Sequence, residues 1–270
     1  MAKMSTQTES ACSLLFWGPP FSGKTVLASQ FPNPHFVSLD PHTLTSVRGL
    51  RARYGLSFDV NIVDIVDAET KDEDFITLVG QKYAKASAWE KTLRMIEAWA
   101  RTLTADDTLV IDNLSRIAEL ILSHIRKTVG REQLQIQDWG SFVGYIEKLT
   151  DCVNHADRKC NVIMIGHEEP HTDELTKEVR RYLLMPTKAR HRIPSLITDY
   201  LYMNTVIKIA NGKRSPVRML KSLPTHDAMT GSRTLIPDIE YPTYAKMKPF
   251  LDAALGRVLP EPNWTPKVDE

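Results

Sequence analysis

Gly18-Pro19-Pro20-Phe21-Ser22-Gly23-Lys24-Thr25 (GPPFSGKT) is the stretch on which the reading of this chain turns. A glycine, four residues, then glycine, lysine and threonine is the spacing of a phosphate-binding loop, and its meaning depends on what flanks it. Residues 12–17 (CSLLFW) are a short apolar run suited to a buried strand, and residues 24–31 have helical character until Pro32 and Pro34 stop them. Strand, glycine-flanked bend and helix is the context the motif needs. The two glycines let the loop wrap until successive N–H groups point inward, and the helix starting at Lys24 adds the positive end of its dipole to the same anion hole. Gly18 through Thr25, with Val26 behind them, form the candidate nucleotide cradle. Lys24 is placed to reach β- and γ-phosphates and the Thr25 hydroxyl to hold Mg²⁺.

Outward from the loop the pattern alternates. Residues 35–40 (HFVSLD) read as a second strand ending on Asp40, and residues 60–66 (VNIVDIV) as a third. Trp89, Leu93, Ile96, Ala100 and Leu103 then recur at helical intervals. Residues 108–111 (TLVI) form the next strand, closed by Asp112. Leu114, Ile117, Ala118, Ile121, Ile125 and Val129 mark a helix with Arg126 and Lys127 in its last turn and Gly130 where a C-terminal glycine belongs. A further helix places Phe142, Ile146, Leu149, Val153 and Ala156 inward, before a strand at residues 161–165 (NVIMI) that leads to His167. Continuous apolar strands bounded by amphipathic helices predict an α/β fold with a mostly parallel sheet covered on both faces. Later, residues 205–210 and 216–220 around Asn211-Gly212 predict a hairpin. Pro224, Pro237, Pro242 and Pro249 then break the chain into short pieces before a helix near residues 246–258. The expected organisation is a flexible lead at 1–11, a core at 12–223, and an extension at 224–270 packed on that core with a frayed tail.

Composition narrows the function classes. The chain has 270 residues, 42% of them hydrophobic, enough for a core without staples. Its 34 Lys+Arg balance 33 Asp+Glu, so any polyanion site must be local. Three cysteines, Cys12, Cys152 and Cys160, do not suggest a disulfide framework. No apolar stretch suits a signal peptide or a membrane span, so a cytoplasmic protein without membrane contact is expected.

A phosphate loop needs a second group for its metal, which open α/β sheets supply at the carboxyl end of a neighbouring strand. Asp112 stands there, where its carboxylate would hold a Mg²⁺-bound water beside Thr25; the alternative is that it only caps the next helix. Many phosphate-loop machines follow this aspartate with a glutamate that activates water. Here the residue is Asn113.

GPPFSGKT, HFVSLD, TLVIDNLSRI and VIMIGH, in that order and with two helices between the last two, resemble the RecA-type ATPase core over about residues 12–210. Within that superfamily they most resemble short phage ATP-binding proteins, some of which act in single-strand annealing and recombination. The resemblance implies a RecA-like P-loop NTPase core, ATP and Mg²⁺ as cofactors, and a homo-oligomer whose sites lie between subunits. It further implies single-stranded DNA as a partner, with a single-strand binding protein as a candidate helper. His167 occupies the place of the polar residue that senses the γ-phosphate and leads into a DNA-contacting loop. The family's catalytic glutamate lies two residues beyond an acid at the end of the second strand; Asp40 matches that acid, but His42 stands in the glutamate's place, leaving Asp40 itself or Glu69 as substitutes. Phe21, where many AAA proteins have glycine, favours the RecA type.

Net neutrality hides segregation. Residues 59–74 hold seven acids and one lysine, whereas residues 180–192 hold five cations (Arg180, Arg181, Lys188, Arg190, Arg192) and no acid. Residues 208–221 add five more. Phosphate backbones need such local stripes, and Tyr182 offers a ring on which a base could stack. In the RecA-like reading residues 180–192 are the mobile DNA loop; a solvated charged face is the other reading. Trp139, in a loop at residues 130–139, is better explained by packing, and Arg233 by a turn than by an arginine finger. Cys152, His155 and Cys160 lack a fourth ligand for zinc. A P-loop kinase with residues 180–192 as its lid, or a nucleotide switch without real turnover, are the competing functions.

Overall fold

The structure, a computed structural model, describes residues 11–39, 61–64, 86–155, 157–210 and 212–257, together with Thr45 and Gly49. Asp40, His42, Glu69, Ala156 and Asn211 lie outside the described residues, as do the side chain of Lys188 and the terminal segments.

Five apolar runs become strands β1 (Ser13–Gly18), β2 (Pro34–Ser38), β3 (Asn61–Asp64), β4 (Thr108–Asp112) and β5 (Asn161–Thr172). They are joined in the sheet by β6 (Val179–Leu183), β7 (Asp199–Ala210), β8 (Lys213–Lys221), β9 (Gly231–Ser232) and β10 (Ile239–Glu240). The main path runs β10-β8-β7-β1-β5-β4-β2-β3, with β6 on β5 and β9 on β7. From β7 through β3 all pairings along this path are parallel, and those of β8, β10, β6 and β9 are antiparallel. This is the α/β architecture expected: a mostly parallel sheet, joined by a hairpin and short C-terminal pieces. The hairpin closes where Ala210 stands opposite Lys213, with Gly212 at φ 72° in the turn.

The helices are α1 (Lys24–Ala28), α2 (Ala88–Thr102), α3 (Leu114–Val129), α4 (Ile136–Val153), α5 (Thr187–Leu196) and α6 (Tyr244–Ala254). One face of the sheet is covered by α2, α3 and α4 around Trp89, Ile96, Ile117, Ile121, Phe142 and Ile146. The other is covered by α1 and α6, through Leu27, Met247 and Leu251 packed on Leu14, Phe16, Ile163 and Met203. Alternation along β1 makes this division: Leu15 and Trp17 face the first layer, Leu14 and Phe16 the second. Burying a side chain of this size contributes about 1.5–3 kcal/mol, so two such layers hold the sheet rigid beneath its loops.

Several boundaries differ from the sequence expectation. The first helix ends at Ala28, three residues before Phe31, because residues 29–33 turn directly toward β2. Helix α4 begins at Ile136 and takes in the last four residues of the expected loop at residues 130–139, since Gln135 and Asp138 form a capping box. Trp139 is only partly covered, its ring 6.2 Å from that of Phe142. The last helix starts at Tyr244, capped by Thr243, rather than near residue 246. Strand β5 does not stop at His167 but runs on to Thr172, where it pairs with β6. The expected mobile loop at residues 180–192 is therefore strand β6 followed by helix α5.

Candidate nucleotide site

The site is assembled at the carboxyl ends of β1 and β4, beside His167 within β5. Gly18 ends β1 at φ 145°, and a Cβ there would lie 2.1 Å from the Met203 carbonyl oxygen on β7. Only glycine lets the chain leave the sheet at this close approach. Pro19 and Pro20 turn outward, Phe21 stands fully exposed at φ 61°, and Ser22 is buried. Gly23, at φ 98°, caps α1 without a side-chain bond, leaving the first amides of Lys24, Thr25 and Val26 directed at the loop. These residues join the end of β1 to the start of α1, the place where the cradle is expected.

Lys24 folds over this loop. Its Nζ donates to the carbonyl oxygens of Gly18 (3.0 Å) and Pro19 (2.7 Å) and to Ser22 Oγ (3.3 Å). Burial pushes the amine down to about 8, against the opposing pull of Asp112 and Glu168. The amine is thus held over the loop among oxygen acceptors, where a polyphosphate could replace them.

Thr25 Oγ1 donates to Asp112 Oδ2 at 3.0 Å, joining residues 87 positions apart. Asp112 does not sit on the strand next to β1, as the neighbouring-strand rule suggests; β5 lies between. Nor does Asp112 cap the following helix. Asn113 does, its Oδ1 accepting from the Arg116 N–H at 2.8 Å, so the aspartate remains committed to Thr25. The peptide between Asp112 and Asn113 is cis.

His167 stands opposite Gly18 in the β1–β5 register. Its Nε2 is 3.3 Å from Asn113 Nδ2, and its backbone N–H donates to Ser115 Oγ at 3.3 Å. The histidine therefore contacts the start of α3 immediately beyond Asp112, within one residue of the acid.

A hydroxyl and a carboxylate, both hard oxygen donors, fit Mg²⁺, which takes one or two protein oxygens and completes its shell with phosphate and water. Among the described residues no group of three or more His, Cys, Asp or Glu forms a metal site of its own, zinc included.

The basic stripe is not a free surface. Arg181 is bound to Asp227 (2.6 Å) and lies 3.9 Å from Glu168; Arg190 meets Glu169 (3.3 Å) and stands 5.0 Å over the Tyr182 ring. Arg192 pairs with Glu147 (2.8 Å) and Arg180 with Glu178 (3.6 Å). Arg180, Arg181 and Tyr182 belong to β6, and Lys188, Arg190 and Arg192 to α5, so the structure splits the run between two elements. Arg233 donates to the Ser195 carbonyl oxygen, as a turn arginine would.

Glu168 was missed in the sequence. It accepts from Tyr202 Oη at 2.7 Å, lies near Arg181, and its charge reaches Lys24. Only its position directly after His167 marked it, because its partners come from β6 and β7.

A family model described as an AAA domain (AAA_24) matches residues 10–234. The chain belongs to this AAA domain family. The family match begins just before β1 and ends shortly before β10. Among curated proteins none matches the sequence. Similar solved structures include an ATPase from the type III secretion system of pathogenic bacteria, at 11% identity and a TM-score of 0.44, covering 72% of this chain and 51% of that one. This AAA domain chain thus spans about half the length of that relative. The flagellar accessory protein FlaH from Methanocaldococcus jannaschii is also similar, at 13% identity and a TM-score of 0.35, covering 77% of each chain. No described helix is long and apolar enough to cross a membrane.

Proposed function

We propose that this AAA domain protein hydrolyses ATP with Mg²⁺ and uses the reaction to act on single-stranded DNA, in recombination, annealing or replication of the phage type. The observation that carries the ATPase part is the Thr25–Asp112 bond at 3.0 Å, beside an amine held in the loop by three oxygen acceptors. The loop amides and Lys24 bind the phosphates, Thr25 and Asp112 hold the metal, and His167 reports on the γ-phosphate. Bound Mg²⁺ supplies charge neutralisation of the β- and γ-phosphates. Asp40 remains the candidate for water activation.

The DNA part is supported by continuity. The strand that carries His167 runs without a break into the β5–β6 hairpin bearing Arg180, Arg181 and Tyr182, so a shift at the phosphate end has a rigid path to the hairpin. Exposed ion pairs contribute only about 0–1 kcal/mol, so Arg180 and Arg192 can exchange their carboxylates for phosphates at little cost. A homo-oligomer and a single-strand binding protein are the partners this reading carries. Residue 113 favours a second reading, a nucleotide switch with slow turnover: the side chain after Asp112 is an amide occupied in capping α3.

The test is steady-state ATP hydrolysis with and without single-stranded oligonucleotide, on the wild type and Lys24→Ala. The expected result is turnover stimulated by DNA and lost in the variant, whose circular dichroism is unchanged. Turnover indifferent to DNA supports the switch. Turnover surviving in Lys24→Ala overturns the site.

A further inference from the structure

Beyond the body of the sheet, β7 and β8 continue as an arm. β7 is paired with β1 only from Asp199 to Tyr202, and β10 reaches β8 only at Met219 and Leu220. From Thr205 to Ala210 on one strand and from Lys213 to Arg218 on the other, the two pair with each other alone. At about 3.3 Å per residue this makes a two-stranded ribbon roughly 20 Å long. Because β7 runs parallel to β1, it leaves the sheet at the edge that carries the phosphate loop.

Two features meet on this arm. Ile207 and Ile209 share one face, opposite Pro216 and Arg214, and are 62% and 67% exposed. Strand alternation puts Lys208 and Lys213 on the other face. Residues 204–218 hold four cations, Lys208, Lys213, Arg214 and Arg218, and no acid. Lys208 pairs with Glu240, whereas no described acid forms an ion pair with Lys213, Arg214 or Arg218. This reverses the pattern of β6 and α5, whose described arginines are all answered by carboxylates. A β-branched apolar pair kept in water among unanswered cations matches a polyanion that also offers apolar surface.

We propose that the β7–β8 arm enters the major groove of double-stranded DNA, with Lys213 and Arg214 on the phosphates and Ile207 and Ile209 against the base edges. A B-form major groove, about 12 Å wide and about 8.5 Å deep, admits a two-stranded ribbon, and its thymine methyl groups give an isoleucine something apolar to cover. The narrow major groove of A-form RNA shuts the ribbon out. Single strands are gripped by stacking on aromatic rings, and residues 204–218 contain none. The duplex is therefore the occupant that the ribbon fits. Neither the phosphate loop nor the β5–β6 hairpin enters this inference, which stands apart from the reading of both.

The test is fluorescence anisotropy of a labelled DNA duplex, the RNA duplex of the same sequence and one of the separated DNA strands, each over a salt series without nucleotide. The proteins are the wild type, a Lys213→Ala, Arg214→Ala pair and an Ile207→Ser, Ile209→Ser pair, with thermal melts to show that both variants fold. The wild type should prefer the DNA duplex to the RNA duplex. Loss of the two cations should flatten the dependence of log affinity on log salt by about two units. Loss of the two isoleucines should weaken the DNA duplex about tenfold and leave that slope unchanged. Affinity and slope intact in both variants overturn the proposal, and so does a wild type that binds no duplex. Equal losses on the DNA duplex, the RNA duplex and the single strand show plain attraction to phosphate and overturn entry into the groove. A change of mass in light scattering, with duplex binding intact, assigns the arm to contact between copies of the chain and overturns it too. Each of these outcomes leaves Lys24 and the β5–β6 hairpin to their own tests.

Discussion

Lys24 is an amine kept where burial opposes its charge. The unfolded chain holds that proton up to about pH 10.5 and the folded chain only to about 8, so between those values the unfolded state binds more protons and stability rises with pH. Below pH 8 the buried cation costs about 3 kcal/mol, taking 1.36 kcal/mol for each unit of the shift. Lys24→Met removes the charge, and in urea melts without nucleotide it should exceed the wild type in stability at pH 7. The difference should close as pH rises from 8 to 10; a gap independent of pH would show that the amine is not desolvated. The residue that would bind phosphate best is thus one the fold holds at a cost.

At the scale of elements, the start of α3 shows how a single cap frees a functional group. Because Asn113 accepts from the Arg116 N–H, Asp112 has no capping duty and turns to Thr25. Asn113→Ala should destabilise the protein by about 1 kcal/mol in chemical denaturation, and Asn113→Asp, which keeps an acceptor at the cap, should not. Loss of stability in both would point instead to the contact with His167. Strand β5 carries the same lesson on a larger element. Its apolar part, Val162 to Ile165, is buried between β1 and β4, and its polar continuation is held by pairing with β6.

For the whole molecule, charge placement governs the partner. The sequence balances to +1, and the structure answers each described arginine of residues 180–192 with a carboxylate, Arg180 by the nearby Glu178 and the others by acids distant in sequence. Arg181 is the more firmly held, by Asp227 and Glu168, whereas the Arg180 side chain is 61% exposed. Arg180→Ala should therefore weaken single-stranded DNA binding more than Arg181→Ala. It should flatten the dependence of log affinity on log salt by about one unit for each phosphate that the protein no longer neutralises. Fluorescence anisotropy across a salt series measures this, and slopes unchanged in both variants would remove the hairpin from the interface.

Local chemistry determined the parts of this protein that depend on neighbours in sequence. The loop from Gly18 to Thr25, the strands with continuous apolar runs, the α3 stop at Gly130 and the hairpin between β7 and β8 all follow from backbone freedom and hydrophobic period. The tertiary structure alone decided which distant groups meet. It set Asp112 against Thr25 across an intervening strand, bound the arginines of β6 and α5 to acids, and brought Glu168 to Tyr202. Such pairings depend on strand order and on the direction in which each side chain leaves its element, and neither is encoded within the span of one turn or one strand.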